Sequence, residues 1–169
     1  MKIITIGDVH GLDKWKKAIY SDNGDCYIGS IYDKVIFIGD YVDSFTISNL
    51  DILSNLNDII NLKLEYPDNV ILLWGNHDVA YLKYDSGISG FRPEMATDLF
   101  QIFNKNRELF QLAYQYNNTI WTHAGIHLGW WRYYIQPVLD NKKETRFSSF
   151  LGECKDVADY LNLMFNFNY

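Results

Sequence analysis

Four short apolar runs rich in β-branched residues punctuate the chain: Ile3 to Ile6, Val35 to Ile38, Val70 to Trp74 and Thr119 to Thr122. They are continuous rather than alternating, which is how strands buried on both faces read. Each run closes on a polar cluster, in order Gly7-Asp8, Gly39-Asp40, Gly75-Asn76 and His123-Ala124-Gly125. Between the runs the apolar residues shift to helical spacing. Leu12, Trp15 and Ile19 form a short stripe behind Asp13, and Ser48 with Asp51 reads as an N-cap ahead of Leu53, Leu56 and Ile60. Met95 to Phe103 and Arg107 to Tyr114 predict two more helices, and Val157, Leu161, Met164 and Phe165 a last amphipathic one. The alternation predicts an α/β fold around a largely parallel sheet. In such sheets ligands gather beyond the carboxyl ends of the strands, where the polar clusters fall here.

No repeat, low-complexity tract or linker divides the 169 residues, so one domain spanning 1–169 is expected. Hydrophobic residues make up 48% and aromatics 17%, and the 13 Tyr and 5 Trp imply a core of large rings or an aromatic contact surface. A net charge of -6 argues against strong duplex nucleic-acid binding. The basic groups, Lys14, Lys16 and Lys17, then Lys142, Lys143 and Arg146, read as solvated faces. Cys26 and Cys154 are unclustered and fit reduced thiols. No apolar run approaches the length of a signal-peptide core or a membrane span, so no membrane association and a cytoplasmic location are expected.

The polar clusters carry the chemistry. Asp8 and His10, two apart as the chain leaves a strand, can converge on one cation. Asp40 can bridge two ions; Asn76 and His77 set an amide oxygen beside an imidazole; His123 follows the last run, with His127 beyond it. Mixed carboxylate, imidazole and amide ligands suit Mn, Fe, Zn or Ni rather than a soft all-thiolate site.

Gly7-Asp8-Val9-His10-Gly11, Gly39-Asp40-Tyr41-Val42-Asp43, Gly75-Asn76-His77-Asp78 and His123-Ala124-Gly125 resemble the signature blocks of the calcineurin-like metallophosphoesterases. The resemblance is strongest to the branch of the phosphoprotein phosphatases and diadenosine tetraphosphate hydrolases. It implies a β-sandwich flanked by helices and a site with two divalent metal ions. Asp8 and His10 then resemble ligands of the first ion, Asp40 the bridging carboxylate, and Asn76 and His123 ligands of the second, with Asn76 also near the substrate. His77, oriented by Asp43, resembles the imidazole beside the leaving group. Such a pair of ions clamps a phosphoryl group and acidifies a water for in-line attack. The implied activity is hydrolysis of phosphate monoesters in the manner of a protein Ser/Thr phosphatase, on a phosphoprotein or, alternatively, a nucleotide such as a diadenosine polyphosphate. A catalytically impaired binding module is the rival reading.

Two departures from the family pattern support that rival. Ser44 and Phe45 stand where the family places Arg-Gly, which removes a bidentate phosphate contact and makes Arg92, in Ser89-Gly90-Phe91-Arg92-Pro93, the candidate substitute for substrate binding. No His lies beyond His127, where the family supplies a further metal ligand, so a chain lacking its C-terminal part is expected, with His127 as the less favoured replacement.

Overall fold

The computed structural model describes residues 1–140 and 154–168. Of the two basic groups, Lys142, Lys143 and Arg146 lie outside the described residues. The chain falls into two compact units, Met1–Gln111 and Leu112–Tyr169.

In the first unit β1 (Ile3–Ile6), β2 (Lys34–Phe37), β3 (Val70–Leu73) and β4 (Phe110–Gln111) form one parallel sheet in the order β1-β2-β3-β4. The two central strands are buried, as their unbroken apolar runs require, whereas edge strand β1 exposes Thr5. Because neighbouring strands run parallel in sequence order, the carboxyl ends of β1, β2 and β3 lie side by side. Gly7-Asp8, Gly39-Asp40 and Gly75-Asn76 therefore emerge at one edge of the sheet.

The crossovers follow from local signals. The first stripe yields only a four-residue helix α1 (Lys16–Ile19), anchored by the Trp15 indole N–H, which donates to Asn55 Oδ1 at 2.8 Å. Helix α2 (Asn49–Glu65) starts at the predicted cap: Ser48 Oγ accepts the Asp51 N–H at 3.2 Å and donates to Asp51 Oδ2 at 2.7 Å. Its buried face carries Ile52, Leu56, Ile59 and Leu62. Helix α3 (Asn76–Lys83), which the run-and-cluster pattern does not reveal, begins within the third polar cluster, and α4 (Ala96–Lys105) follows a 3₁₀ turn at Pro93–Met95.

The helix expected over Arg107–Tyr114 does not form. A 3₁₀ turn at Arg107–Leu109 leads instead into β4, then into β5 (Ala113–Tyr116). Tertiary packing overrides local spacing here. The Phe110 ring stacks on Trp74 with centroids 4.5 Å apart and meets Tyr41 and Phe103 edge-on at 5.5 and 5.7 Å, while Trp74 N–H donates to Gln111 O at 2.9 Å. Much of the high aromatic content thus lies in the core, where Trp15, Phe37, Tyr41, Phe110, Trp74 and Phe103 form a chain of ring contacts.

In the second unit β5 and β6 (Thr119–Thr122) make an antiparallel hairpin over Asn117-Asn118, with Asn117 at a φ of 51° suited to a tight turn. The fourth apolar run is therefore no member of the parallel sheet, and its residues are half-buried to exposed. Helix α5 (Leu128–Trp130), a π-helical turn (Trp131–Ile135) and α6 (Gln136–Leu139) run on from one another. Helix α7 (Val157–Asn168) is pinned to β5 by Asn162, whose Oδ1 accepts the N–H groups of Leu112 and Ala113 at 2.7 and 2.8 Å. Ala113, Ile135, Ala158, Tyr160 and Leu161 form this unit's core, with Trp131 against it; Trp130 and Tyr133 are exposed. Among the described residues no helix is long and apolar enough to cross a membrane.

Phe110→Ala removes the ring that joins Trp74, Tyr41 and Phe103. It is expected to cost about 3–5 kcal/mol of stability, read from the midpoint of urea unfolding. A loss below about 1 kcal/mol would place the ring outside the core.

Candidate active site

Two glycines bring the second and third clusters together. A Cβ on Gly39, whose φ is 102°, would lie 2.4 Å from Gly75 N, and one on Gly75 would lie 2.2 Å from both Asp40 N and Asp40 Oδ1. Only glycine permits this approach of backbone to backbone. Asp40, buried, is thereby set on the first turn of α3, where its Oδ1 accepts the His77 N–H at 3.0 Å. The N-terminal end of a helix suits that carboxylate.

The first cluster is laid against the second through the backbone. Val9 N–H and His10 N–H both donate to Asp40 O, at 3.0 and 2.8 Å, and Gly11 N–H donates to Tyr41 O at 2.9 Å. A carboxylate oxygen of Asp8 lies within 4.8 Å of one of Asp40. His10 Nδ1 stands 2.9 Å from Val42 O, so the ring nitrogen at that position carries the proton and donates it. In the neutral ring Nε2 is then the lone-pair nitrogen, and it lies 4.0 Å from Asp40 Oδ2.

That arrangement fits a divalent cation. With the ring neutral, two acceptors face each other at 4.0 Å, and ligand bonds of about 2.0–2.2 Å span such a gap. A histidine whose other nitrogen is tied to a backbone carbonyl is the usual metal-binding tautomer. Oxygen and imidazole donors together suit Mn, Fe, Zn or Ni.

Beside this cluster sits a proton-handling pair. His77 meets His10 edge-on with ring centroids 5.2 Å apart. Its Nδ1 lies 2.9 Å from Asp43 Oδ2, and the Asp43 side chain is fully buried. His77 thus presents Nε2 away from Asp43, where a leaving-group oxygen could receive a proton.

The family match agrees with the geometry. A family model described as calcineurin-like phosphoesterase matches residues 1–163. The chain belongs to that family. Among curated relatives, human and rat serine/threonine-protein phosphatase 5 are each 30% identical over 127 residues, covering 74% of this chain and 24% of theirs. A Schizosaccharomyces pombe protein named as a candidate serine/threonine-protein phosphatase is 36% identical over 76 residues, 45% of this chain and 22% of its own. The chain therefore spans about a quarter of the length of these relatives.

Two further residues of this calcineurin-like chain support the site in ways the motifs alone do not reveal. Asp78, fully buried, has a carboxylate that accepts three backbone N–H groups: Asp40 at 2.8 Å, Tyr41 at 2.9 Å and Gly75 at 2.9 Å. Burial pushes its pKa up to about 7, with the nearby Asp40 charge adding, while the N–H donors pull it back. Its position three residues after Gly75, the helix N-cap, is the signal in the sequence. Tyr81, buried on the next turn of α3, donates its hydroxyl to Asp43 Oδ1, and nothing in the sequence pattern singles it out.

Asn76 opens α3 with its side chain exposed beside this cluster. The Arg92 guanidinium donates from Nη2 to Ser44 O and to Ile47 O, the latter at 2.8 Å, and from Nη1 to Asn49 Oδ1. These bonds hold the loop that follows Asp43. In the second unit His123 follows β6, half-buried, and His127 precedes α5 with its side chain exposed.

Asp78→Ala would orphan three buried N–H groups at the strand ends. At about 1–3 kcal/mol for each unsatisfied group, the expected loss is at least about 3 kcal/mol, measured by denaturant unfolding of the metal-free protein. A loss under about 1 kcal/mol would mean that water replaces the carboxylate there.

Proposed function

We propose that this chain hydrolyses phosphate monoesters with divalent metal ions bound at Asp8, His10 and Asp40, and that its substrate is a phosphoprotein. The observation that carries the reading is one juxtaposition. A metal-ready pair, His10 Nε2 and Asp40 Oδ2, stands beside a His77–Asp43 pair built to deliver a proton. Family membership and the phosphatase names of the relatives support it. A second ion is assigned to Asp40, Asn76 and His123 on the family motif alone. Such ions neutralise phosphoryl oxygens and acidify a water when bound.

The protein's own residues then divide the remaining work. Asp40 would hold both ions, and its Oδ1 receives the His77 N–H, so one side chain would couple the metals to the start of α3. His77, held by Asp43, protonates the departing alkoxide from Nε2, a contribution on the order of 10²–10⁴-fold. Asn76 contacts a phosphoryl oxygen. Arg92 adds positive charge beside the loop at Ser44, in place of the family's arginine. Manganese is the ion proposed first, and the cytoplasm the location.

Two substitutions test this reading. Asp40→Asn in manganese-loaded protein is expected to reduce turnover of an aryl phosphate by far more than tenfold and to lower the metal content found by elemental analysis. Activity retained within about tenfold would rule out the two-metal mechanism. His77→Ala is expected to slow a phosphoserine peptide by about 10²-fold or more while sparing p-nitrophenyl phosphate, whose leaving group needs no proton. Equal losses on both substrates would assign His77 to binding or positioning instead.

A further inference from the structure

The Asp43 carboxylate has two oxygens and two partners, and both partners come from one helix. His77 and Tyr81 are four residues apart on α3 and so share a face. His77 Nδ1 lies 2.9 Å from Oδ2, and the Tyr81 hydroxyl donates to Oδ1. The same hydroxyl accepts the Arg92 N–H at 2.9 Å, and the Tyr81 ring stacks on Phe91 with centroids 4.5 Å apart and planes 16° from parallel. Arg92 closes the circuit, since its guanidinium holds the backbone oxygens of Ser44 and Ile47, immediately after Asp43. Asp43 itself has a φ of 64°, a left-handed conformation that needs support from its surroundings.

We infer that Tyr81 is a positioning residue for His77: by occupying Oδ1 it leaves Oδ2 as the acceptor for the His77 Nδ1 proton, and so fixes the tautomer and ring orientation that aim Nε2 outward. A carboxylate with one oxygen unclaimed can rotate and present either oxygen; one pinned at Oδ1 cannot. The Tyr81 hydroxyl is a dependable pin. Burial, and then the Asp43 carboxylate, push its pKa well above that of an ordinary phenol, so it stays a donor. The Arg92 N–H approaches the lone-pair side of the hydroxyl, which turns its proton toward Asp43. The inference deepens the phosphoesterase reading and rests on it for the role of His77, though the tautomer it assigns to His77 does not depend on turnover.

The test therefore has two arms. In the first, manganese-loaded Tyr81→Phe is compared with the unchanged chain on a phosphoserine peptide and on p-nitrophenyl phosphate. The expected result is a kcat about tenfold lower on the peptide with KM unchanged, a part of the roughly 10²–10⁴-fold general-acid effect, and p-nitrophenyl phosphate turnover within twofold. On the His77→Ala background the same substitution should have no further effect. A peptide kcat within twofold of the unchanged chain, an equal loss on both substrates, or a further loss on that background, would overturn the inference and leave Tyr81 a packing residue. In the second arm, long-range ¹⁵N–¹H correlation spectra of the histidine rings are recorded on metal-free and zinc-loaded protein. A single Nδ1–H tautomer for His77 in the unchanged chain, giving way to a mixture in Tyr81→Phe, supports the inference; an unaltered tautomer overturns it. If no substrate is turned over, the phosphoesterase reading fails while this arm still decides the role of Tyr81. If Tyr81→Phe shows no cooperative melt, the unchanged chain decides: a Tyr81 hydroxyl proton shielded from exchange, with a cross-peak to the ring proton on His77 Nδ1, supports the inference, and its absence overturns it.

Discussion

The contact between Gly39-Asp40 and Gly75-Asn76 is the constraint from which the rest of the site follows. Two strand ends approach so closely that a single methyl group on either glycine would collide with backbone. Such an approach gathers buried polar backbone groups, and the Asp78 carboxylate answers them by accepting from Gly75, Asp40 and Tyr41 at once. One buried side chain therefore ties the start of α3 to the end of β2. Asp40, Asp43, Asn76 and His77, four of the candidate site residues, lie within a few residues of that tie.

How much of this was legible in the sequence follows from the range of the interactions. Strands β2 and β3 show as unbroken apolar runs because burial on both faces writes itself into consecutive residues, while edge strand β1 shows as a β-branched run with Thr5 exposed. Thr119–Thr122 has the same composition, yet its pairing is with β5, and one run in isolation carries no record of its partner. Arg107–Tyr114 reads as helical because Phe110, Ala113 and Tyr114 have helical spacing; stacking of Phe110 on Trp74, remote in sequence, decides otherwise. Helix α3 is hidden because its first turn is made of the residues that carry the chemistry.

The site residues divide in the same way. Asp8, His10, Asp40, Asp43, Asn76 and His77 are recognisable by residue type, spacing and position after a strand, since the metal and proton chemistry proposed for them restricts which side chains serve. Tyr81 acts through contacts with residues far away in the chain and is unremarkable on a helix, and Asp78, though it closes the third motif, has partners in Asp40 and Tyr41 that the sequence does not place beside it. Arg92 lies between these cases. Its charge and loop position mark it, but its bonds to Ser44, Ile47 and Asn49 are visible only once the loops are folded together.

His10, Asp40 and Asp43 all have positive φ, at 45°, 54° and 64°. Left-handed backbone in residues other than glycine costs on the order of 1–3 kcal/mol each. Three such residues in one site need compensation, and it is at hand. His10 N–H donates to Asp40 O and His10 Nδ1–H to Val42 O; Asp40 N–H donates to Asp78, and the Asp43 carboxylate is held at both oxygens. At about 0.5–1.5 kcal/mol for a neutral bond and more for one to a charged group, these contacts are of the size needed to offset the strain. The same bonds that hold the strained turns also orient the side chains on them. His10 cannot turn its Nε2 from Asp40 without losing Val42 O, and Asp43 cannot leave His77 without losing Tyr81. Strain and aim are thus two consequences of one network, which sets the side chains of His10, Asp40 and Asp43 in place together. Preorganisation of that kind costs stability in the folded protein and spares reorganisation at the moment of reaction.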